Sequence, residues 1–144
     1  MPDKHSLDSL FTLFHTLKRS MQEQIEALNL EICPMNVRVL KIIANQPQCT
    51  AIDIANFLER DKAQVTRLLN SLTEKGLIVK KSNPEDKRSQ CLCITENGQQ
   101  VMKKIAEIDA WMVQKITKDL SKEQLEELQL ILSQMIKNLA ASAG

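Results

Sequence analysis

The stretch TAIDIANFLERDKAQVTRLLNSLTEKGLIVKKSNPEDKRSQCLCITENG, residues 50–98, decides the fold. Thr50 is placed to accept a hydrogen bond from the first turn of a short helix carrying Ile54, Ala55 and Leu58 on one face. Asp61 and Gln64 have the spacing of a capping box, and they open a second helix whose buried face is Val65, Leu68, Leu69 and Leu72. Gly76 is placed to stop that helix, since glycine takes up the left-handed backbone of a helix end without steric cost. Two β-prone runs follow, 77–81 and 89–94, separated by SNPEDKR, whose Asn, Pro and Asp favour a turn. Two short helices, a stop and a hairpin, in that order, predict a winged helix-turn-helix.

Working outward, Leu7, Leu10, Phe11, Phe14, Leu17, Met21, Ile25 and Leu28 recur at three- and four-residue spacing. They form one apolar stripe on a helix of about six turns. Cys33-Pro34 breaks the chain and restarts it, because proline is tolerated in a first helical turn, and Val37, Leu40 and Ile43 carry a further helix as far as Pro47. Beyond the hairpin, Thr95 caps a helix bearing Val101, Ile105, Ile108 and Met112. Ser121 with Gln124 forms another capping box ahead of Leu125, Leu128, Leu132, Met135, Ile136 and Leu139. The expected fold is mainly α with a small β wing. It is a single unit over 1–144, with the winged helix-turn-helix at 35–98 and helical dimerisation regions at 5–30 and 99–141. The long terminal stripes need a surface to cover them. Packing them against a second copy would bury both sets and aim two reading helices the same way, so a homodimer is expected.

Composition agrees with a largely helical chain: 144 residues with 43% hydrophobic and 26% charged, but only 3 Gly and 4 Pro. That length buries roughly two-thirds of the unfolded surface. The longest apolar runs are too short for a bilayer, so no membrane partner is expected. MPDKHSLDSLF lacks the apolar core of a secretory signal, and a cytoplasmic location is expected. The net charge of +1 does not itself suggest nucleic acid. Its distribution does: residues 59–88 hold eight Lys or Arg against five acids, whereas the segment from Asp119 onward holds two against four. The positive charge sits where phosphate contacts would be made.

A helix-turn-helix lays its second helix in the major groove of double-stranded DNA. Subtracting the apolar face leaves Lys62, Gln64, Thr66, Arg67 and Asn70 pointing outward. Arg binds guanine bidentately, Gln or Asn binds adenine, and Lys neutralises phosphate. Gln64 has a competing role, because the capping box would turn its side chain back onto the Asp61 backbone. On the hairpin, Lys80 and Lys81 are either general phosphate contacts or solvated charges, and Lys87 and Arg88 at the tip can reach a narrow minor groove. Asp86 is expected to pair with a nearby cation and hold the wing so that it aims Arg88.

The segments CPMNVRVLKIIANQ, TAIDIANFLERDKAQVTRLLNSLTEKGLI, NPEDKR and ITENG, taken in order, resemble the MarR (multiple antibiotic resistance regulator) family nearly end to end. The most specific parts are VTRLLNSLTEKGLI, the Asp86-Lys87-Arg88 wing and Ile94-Thr95-Glu96-Asn97-Gly98. The resemblance implies an obligate homodimer on a pseudo-palindromic operator. It implies repression, relieved by a small phenolic or other amphipathic effector or by oxidation. It makes Arg88 the minor-groove arginine and Asp86 its positioning partner. Pro34 and Lys62-Ala63-Gln64 depart from the family's usual residues, which bears on operator sequence.

Four cysteines, Cys33, Cys49, Cys91 and Cys93, leave a redox switch as an alternative, with Cys33 the candidate site because it sits at a helix break. A Cys91–Cys93 bond would span about 6.6 Å along one strand, near the limit of disulfide geometry. Neither His5 nor His15 has metal-motif spacing with a cysteine, so neither a metal nor a cofactor is expected. Met35, Trp111 and Met112 are candidates to line an effector cleft. The rival function is a winged-helix protein-interaction module without DNA binding. An enzyme is unsupported, for no nucleophile–base pair, phosphate loop or metal triad is present.

Overall fold

The computed structural model describes residues 4–86 and 88–142. In order it contains α1 (Lys4–Glu26), α2 (Pro34–Asn45), α3 (Ala51–Leu58), α4 (Lys62–Glu74), β1 (Ile78–Ser82), β2 (Gln90–Ile94), α5 (Glu96–Ile116) and α6 (Lys122–Ser142). This is the expected mainly helical fold with a small wing. The two strands pair antiparallel, with Ile78 opposite Ile94 and Ser82 opposite Gln90. β2 begins one residue later than the sequence suggests. The chain divides into two compact units, Met1–Asp109 and Ala110–Gly144, with the boundary inside α5.

The first unit is built around Val39, Leu40, Ile54, Val65, Leu69, Leu72 and Ile105, all buried in one cluster with Ile78 and Leu92 of the sheet. Burying each such aliphatic side chain is worth about 1.5–3 kcal/mol. The α4 face is as expected except at Leu68, which is half-buried. On α5, Val101, Ile105, Ile108 and Met112 are all buried.

Caps fix where these helices start and stop. Thr50 and Asp53 exchange side-chain bonds with each other's backbone N–H, at 3.3 and 3.0 Å, a complete capping box at the start of α3. Asp61 completes only half of its box: its Oδ1 accepts from Gln64 N–H at 2.8 Å, and the return bond from the Gln64 side chain is not made. At the end of α4, Gly76 has φ +73°. Its N–H donates to the Thr73 carbonyl, and Leu77 N–H donates to the Leu72 carbonyl, both at 3.0 Å. That pair of bonds ties off the orphan carbonyls of α4 and turns the chain into β1.

α5 is anchored to the same corner. Thr95 Oγ1 accepts from Gly98 N–H at 3.0 Å and donates to the Gly76 carbonyl at 2.6 Å, while Thr95 N–H donates to the Leu77 carbonyl at 3.0 Å. Gly98 is buried, and a Cβ there would collide with the Leu77 carbonyl oxygen and come within 2.7 Å of Ile94 Cγ2. Only glycine lets the first turn of α5 sit that close to the wing.

In the second unit, Asp119 takes a left-handed turn (φ 65°) and Ser121 with Gln124 makes the expected capping box, at 2.8 and 3.1 Å, to open α6. Parts of the α1 and α6 stripes stay exposed, although Ile25 of α1 is buried and Met21 and Leu28 pack against the core. Leu7, Phe11 and Phe14 on α1, and Leu128, Ile136 and Leu139 on α6, are exposed. No helix among the described residues is long and apolar enough to cross a membrane.

Candidate nucleic-acid interface

α3 ends at Glu59, whose left-handed backbone (φ 52°) lets Arg60 N–H reach the Ala55 carbonyl at 3.2 Å and swings the chain into α4. Because Val65, Leu69 and Leu72 face the core, the opposite side of α4 is presented outward. Lys62, Gln64, Thr66, Arg67 and Asn70 are all exposed there. Helical spacing sorts them into two lines: Lys62, Thr66 and Asn70 at four-residue steps, and Gln64, Arg67 and Ser71 beside them. Thr66 Oγ1 donates to the Lys62 carbonyl at 2.8 Å, so its hydroxyl proton is committed to the helix while its methyl and lone pairs remain available. The competing bond of the Gln64 side chain to the Asp61 backbone is not made, and Gln64 is exposed. Gln64 and Arg67 line a cleft of about 410 Å³ together with Arg60 and Cys33.

In the wing, Lys80 and Lys81 are exposed on β1, and Arg88 is exposed at the tip. Lys87 lies outside the described residues. Asp86 bonds the backbone of the tip. Its Oδ1 accepts from the Arg88 backbone N–H at 2.9 Å, and its carbonyl accepts from Ser89 N–H at 3.2 Å. Asn83 braces the other side, donating to Ser89 Oγ and accepting from Glu85 N–H, both at 3.0 Å. Among the described residues no cation pairs with Asp86. It braces Arg88 through the backbone, as short acidic side chains do in turns. Lys62, Lys80 and Arg88, from three different elements, line one further cleft. Sequence distance hides that convergence.

The four thiols are unpaired and differ in exposure. Cys33 is exposed at the start of α2, with its Sγ donating to Asn36 Oδ1 at 3.2 Å. Cys49 and Cys91 are buried, Cys93 is half-buried, and no group of three or more metal-ligating side chains gathers among the described residues. The Cys49 carbonyl accepts from Leu92 N–H at 2.7 Å, tying the α2–α3 connection to the wing. Burial, with the charges of Asp53 and Cys91 adding to it, pushes the Cys49 thiol up to about 11 from an ordinary value of 9.0. Below pH 9 the folded and unfolded chains both hold that proton. As pH rises from about 9 to 11 only the unfolded chain releases it, so stability falls by roughly 2–3 kcal/mol over that window. Chemical denaturation across pH 8–11 is expected to give a steeper decline for the parent than for Cys49→Val. Of the expected effector-cleft residues, Met35 lines the α2–α4 cleft, Met112 is buried, and Trp111 lies under Lys115, whose Nζ is 4.8 Å from its ring centroid.

The sequence profile of the MarR family matches residues 34–90, which span α2 to the start of β2. A putative transcriptional regulatory protein for the hcr operon of Thauera aromatica is 36% identical over 67 residues, 46% of this chain and 40% of that protein. The HTH-type transcriptional regulator BilQ of Clostridioides difficile is 34% identical over 80 residues, 56% of this chain and 54% of that protein. The aligned part of the chain thus spans about half the length of these curated relatives or less. The fold likeness runs further: the crystal structure of a MepR–DNA complex from S. aureus matches 95% of this chain and 96% of that one, with a TM-score of 0.76 and 24% identity. The profile match covers α2, α3, α4, β1 and the wing tip, and over these residues the chain is similar to the MarR family.

Proposed function

We propose that the chain is a sequence-specific DNA-binding transcriptional regulator, acting as a homodimeric repressor on a pseudo-palindromic operator and released by a small amphipathic acid. The observation that carries this reading is the outward row on α4, Lys62, Gln64, Thr66, Arg67 and Asn70, set beside a wing whose Arg88 is aimed by Asp86. Arg67 and Gln64 read base edges in the major groove, Arg88 enters the adjacent minor groove, and the lysines hold phosphate. The relatives' names as transcriptional regulators and the solved MepR–DNA complex support the same direction. The logarithm of duplex affinity should fall linearly with log salt at a slope of roughly −0.9 for each phosphate contacted. An affinity indifferent to salt would instead support a protein-interaction module.

The exposed apolar residues along α1, and separately along α6, support a dimer, since large apolar side chains exposed in series mark interaction surfaces. Ile136 and Leu139 are 67% and 76% exposed, so aspartate at both can be placed without disturbing a buried core. Sedimentation of Ile136→Asp/Leu139→Asp is expected to give a monomer with at least roughly 100-fold weaker operator binding, because two linked heads gain effective concentration that one lacks. A parent protein already monomeric at micromolar concentration would overturn this part.

Release by a ligand is supported by a cavity of about 300 Å³ between α1 and α2, floored by Phe14, Leu17, Met21, Ile25 and Val37 and edged by Lys18 and Arg38. An apolar floor with cations at the rim suits a carboxylate on an aromatic or alkyl body. Occupancy would act by changing the distance between the two heads. A second route, through oxidation, is favoured by one observation: exposed Cys33 lines the same cleft as Gln64 and Arg67. Loss of duplex binding on thiol oxidation in the parent, but not in Cys33→Ser, would establish it.

A further inference from the structure

The cleft of about 290 Å³ that joins Lys62 at the start of α4, Lys80 on β1 and Arg88 at the wing tip also contains the first turn of α3 at Thr50, Ala51 and Ile52. Three cations from three elements line it, and among the described residues none of the three forms an ion pair. Like charges brought together without a counterion repel one another, and an anion between them reverses that term. The backbone adds to the same polarity. Thr50 Oγ1 takes the Asp53 N–H, and Ile54 N–H donates to the Thr50 carbonyl, so among the described residues the amides of Ala51 and Ile52 have no acceptor at the positive end of the helix. The two acids nearby are turned to other work: Asp53 accepts from Thr50 N–H at 3.0 Å, and Asp61 accepts from Gln64 N–H at 2.8 Å.

The position of the cleft identifies its occupant, on the footing of the DNA-binding reading above. α4 is the major-groove element and the wing tip the minor-groove element, and on a duplex the two grooves are separated by one sugar–phosphate strand. Whatever lies between α4 and the wing must straddle that strand. We infer that Lys62, Lys80 and the first turn of α3, with Arg88 at the wing edge, form one clamp for a single backbone phosphate of the operator. Lys62 is then a phosphate ligand and not a base reader, although it stands on the reading helix. The clamp locks α4 and the wing to the same strand and so sets the register in which Arg67 meets its base.

A scan of neutral phosphate replacements tests this. A duplex selected by the parent protein from a random pool is made with methylphosphonate at one backbone position at a time, and affinity is measured for the parent, Lys62→Ala and Lys80→Ala. Both lysines are exposed, so the variants retain the fold, which circular dichroism verifies. One position is expected at which the parent loses about tenfold, in the range of a charge-assisted contact, and at which both variants lose less than the parent, because each has already lost one of the cations on that phosphate. At every other position the variants should respond as the parent does, and their base preference should match the parent's. A reduced loss of the two variants at two different phosphates, or at none, would overturn the clamp while leaving DNA binding intact. A parent whose duplex affinity ignored salt would overturn the DNA-binding reading and the clamp together.

Discussion

Arg67→Ala is expected to weaken binding to the selected operator by roughly 10- to 100-fold and to relax preference at one base pair per half-site, the cost of losing a bidentate contact worth about 1–3 kcal/mol. The side chain is exposed on α4, two positions before buried Leu69, so its removal leaves the core intact and the change is read as recognition and not as folding. The comparison with Arg88→Ala separates the two roles. Arg88 enters a groove whose base pattern is degenerate, so its loss should weaken binding across sequences with little change in preference. Competition binding against duplexes mutated one position at a time distinguishes the outcomes. If Arg67→Ala kept both the affinity and the base profile of the parent, α4 would not be the reading element.

The largest effect on stability is expected at Gly98. Adding a methyl group drives it into the Leu77 carbonyl oxygen, and that carbonyl cannot retreat. It accepts the Thr95 N–H, and the N–H of the same residue closes the end of α4 on Leu72. Gly98→Ala is therefore expected to cost about 3 kcal/mol, the upper range for forcing volume into a packed site, and to lower the melting temperature by roughly 6–12 °C for a chain of this length. Gly76→Ala is the informative contrast. Nothing lies within 4 Å of a Cβ there, but φ is +73°, so only the left-handed backbone is penalised, at about 1–2 kcal/mol. Calorimetry that ranked the two in the opposite order would contradict the packing described at this corner.

That contrast marks what could be read from residues alone. Gly76 was legible because its role is local: a glycine after an amphipathic run stops a helix wherever it occurs. Thr50, Thr95 and the Ser121–Gln124 pair were legible for the same reason, since a cap acts within four residues of itself. The amphipathic stripes were also readable, because a core face repeats along its own helix. Gly98 was visible only as part of a family-like ITENG string, and its cause is a carbonyl 21 positions away that only the folded wing brings near. The shared cleft of Lys62, Lys80 and Arg88 is another product of tertiary convergence. At Asp86 the structure shows a turn bond from the Arg88 backbone N–H, while Lys87, one of the cations near it, lies outside the described residues. A cation and a backbone N–H two residues on are both natural partners for a carboxylate, and turn geometry favours the second. Gln64 is the reverse case: a matching capping box spacing does not oblige the second half to form on an exposed helix end.

The central claim is that α4 and the wing form one of two linked reading heads, and the most direct measurement is selection of bound duplexes from a random pool by the unmodified protein, followed by sequencing. The account predicts enrichment of inverted half-sites with centres about one helical turn, 10–10.5 base pairs, apart, recovered less well as salt is raised. A bound pool with no enriched sequence, or enrichment of a lone half-site without symmetry, would contradict it.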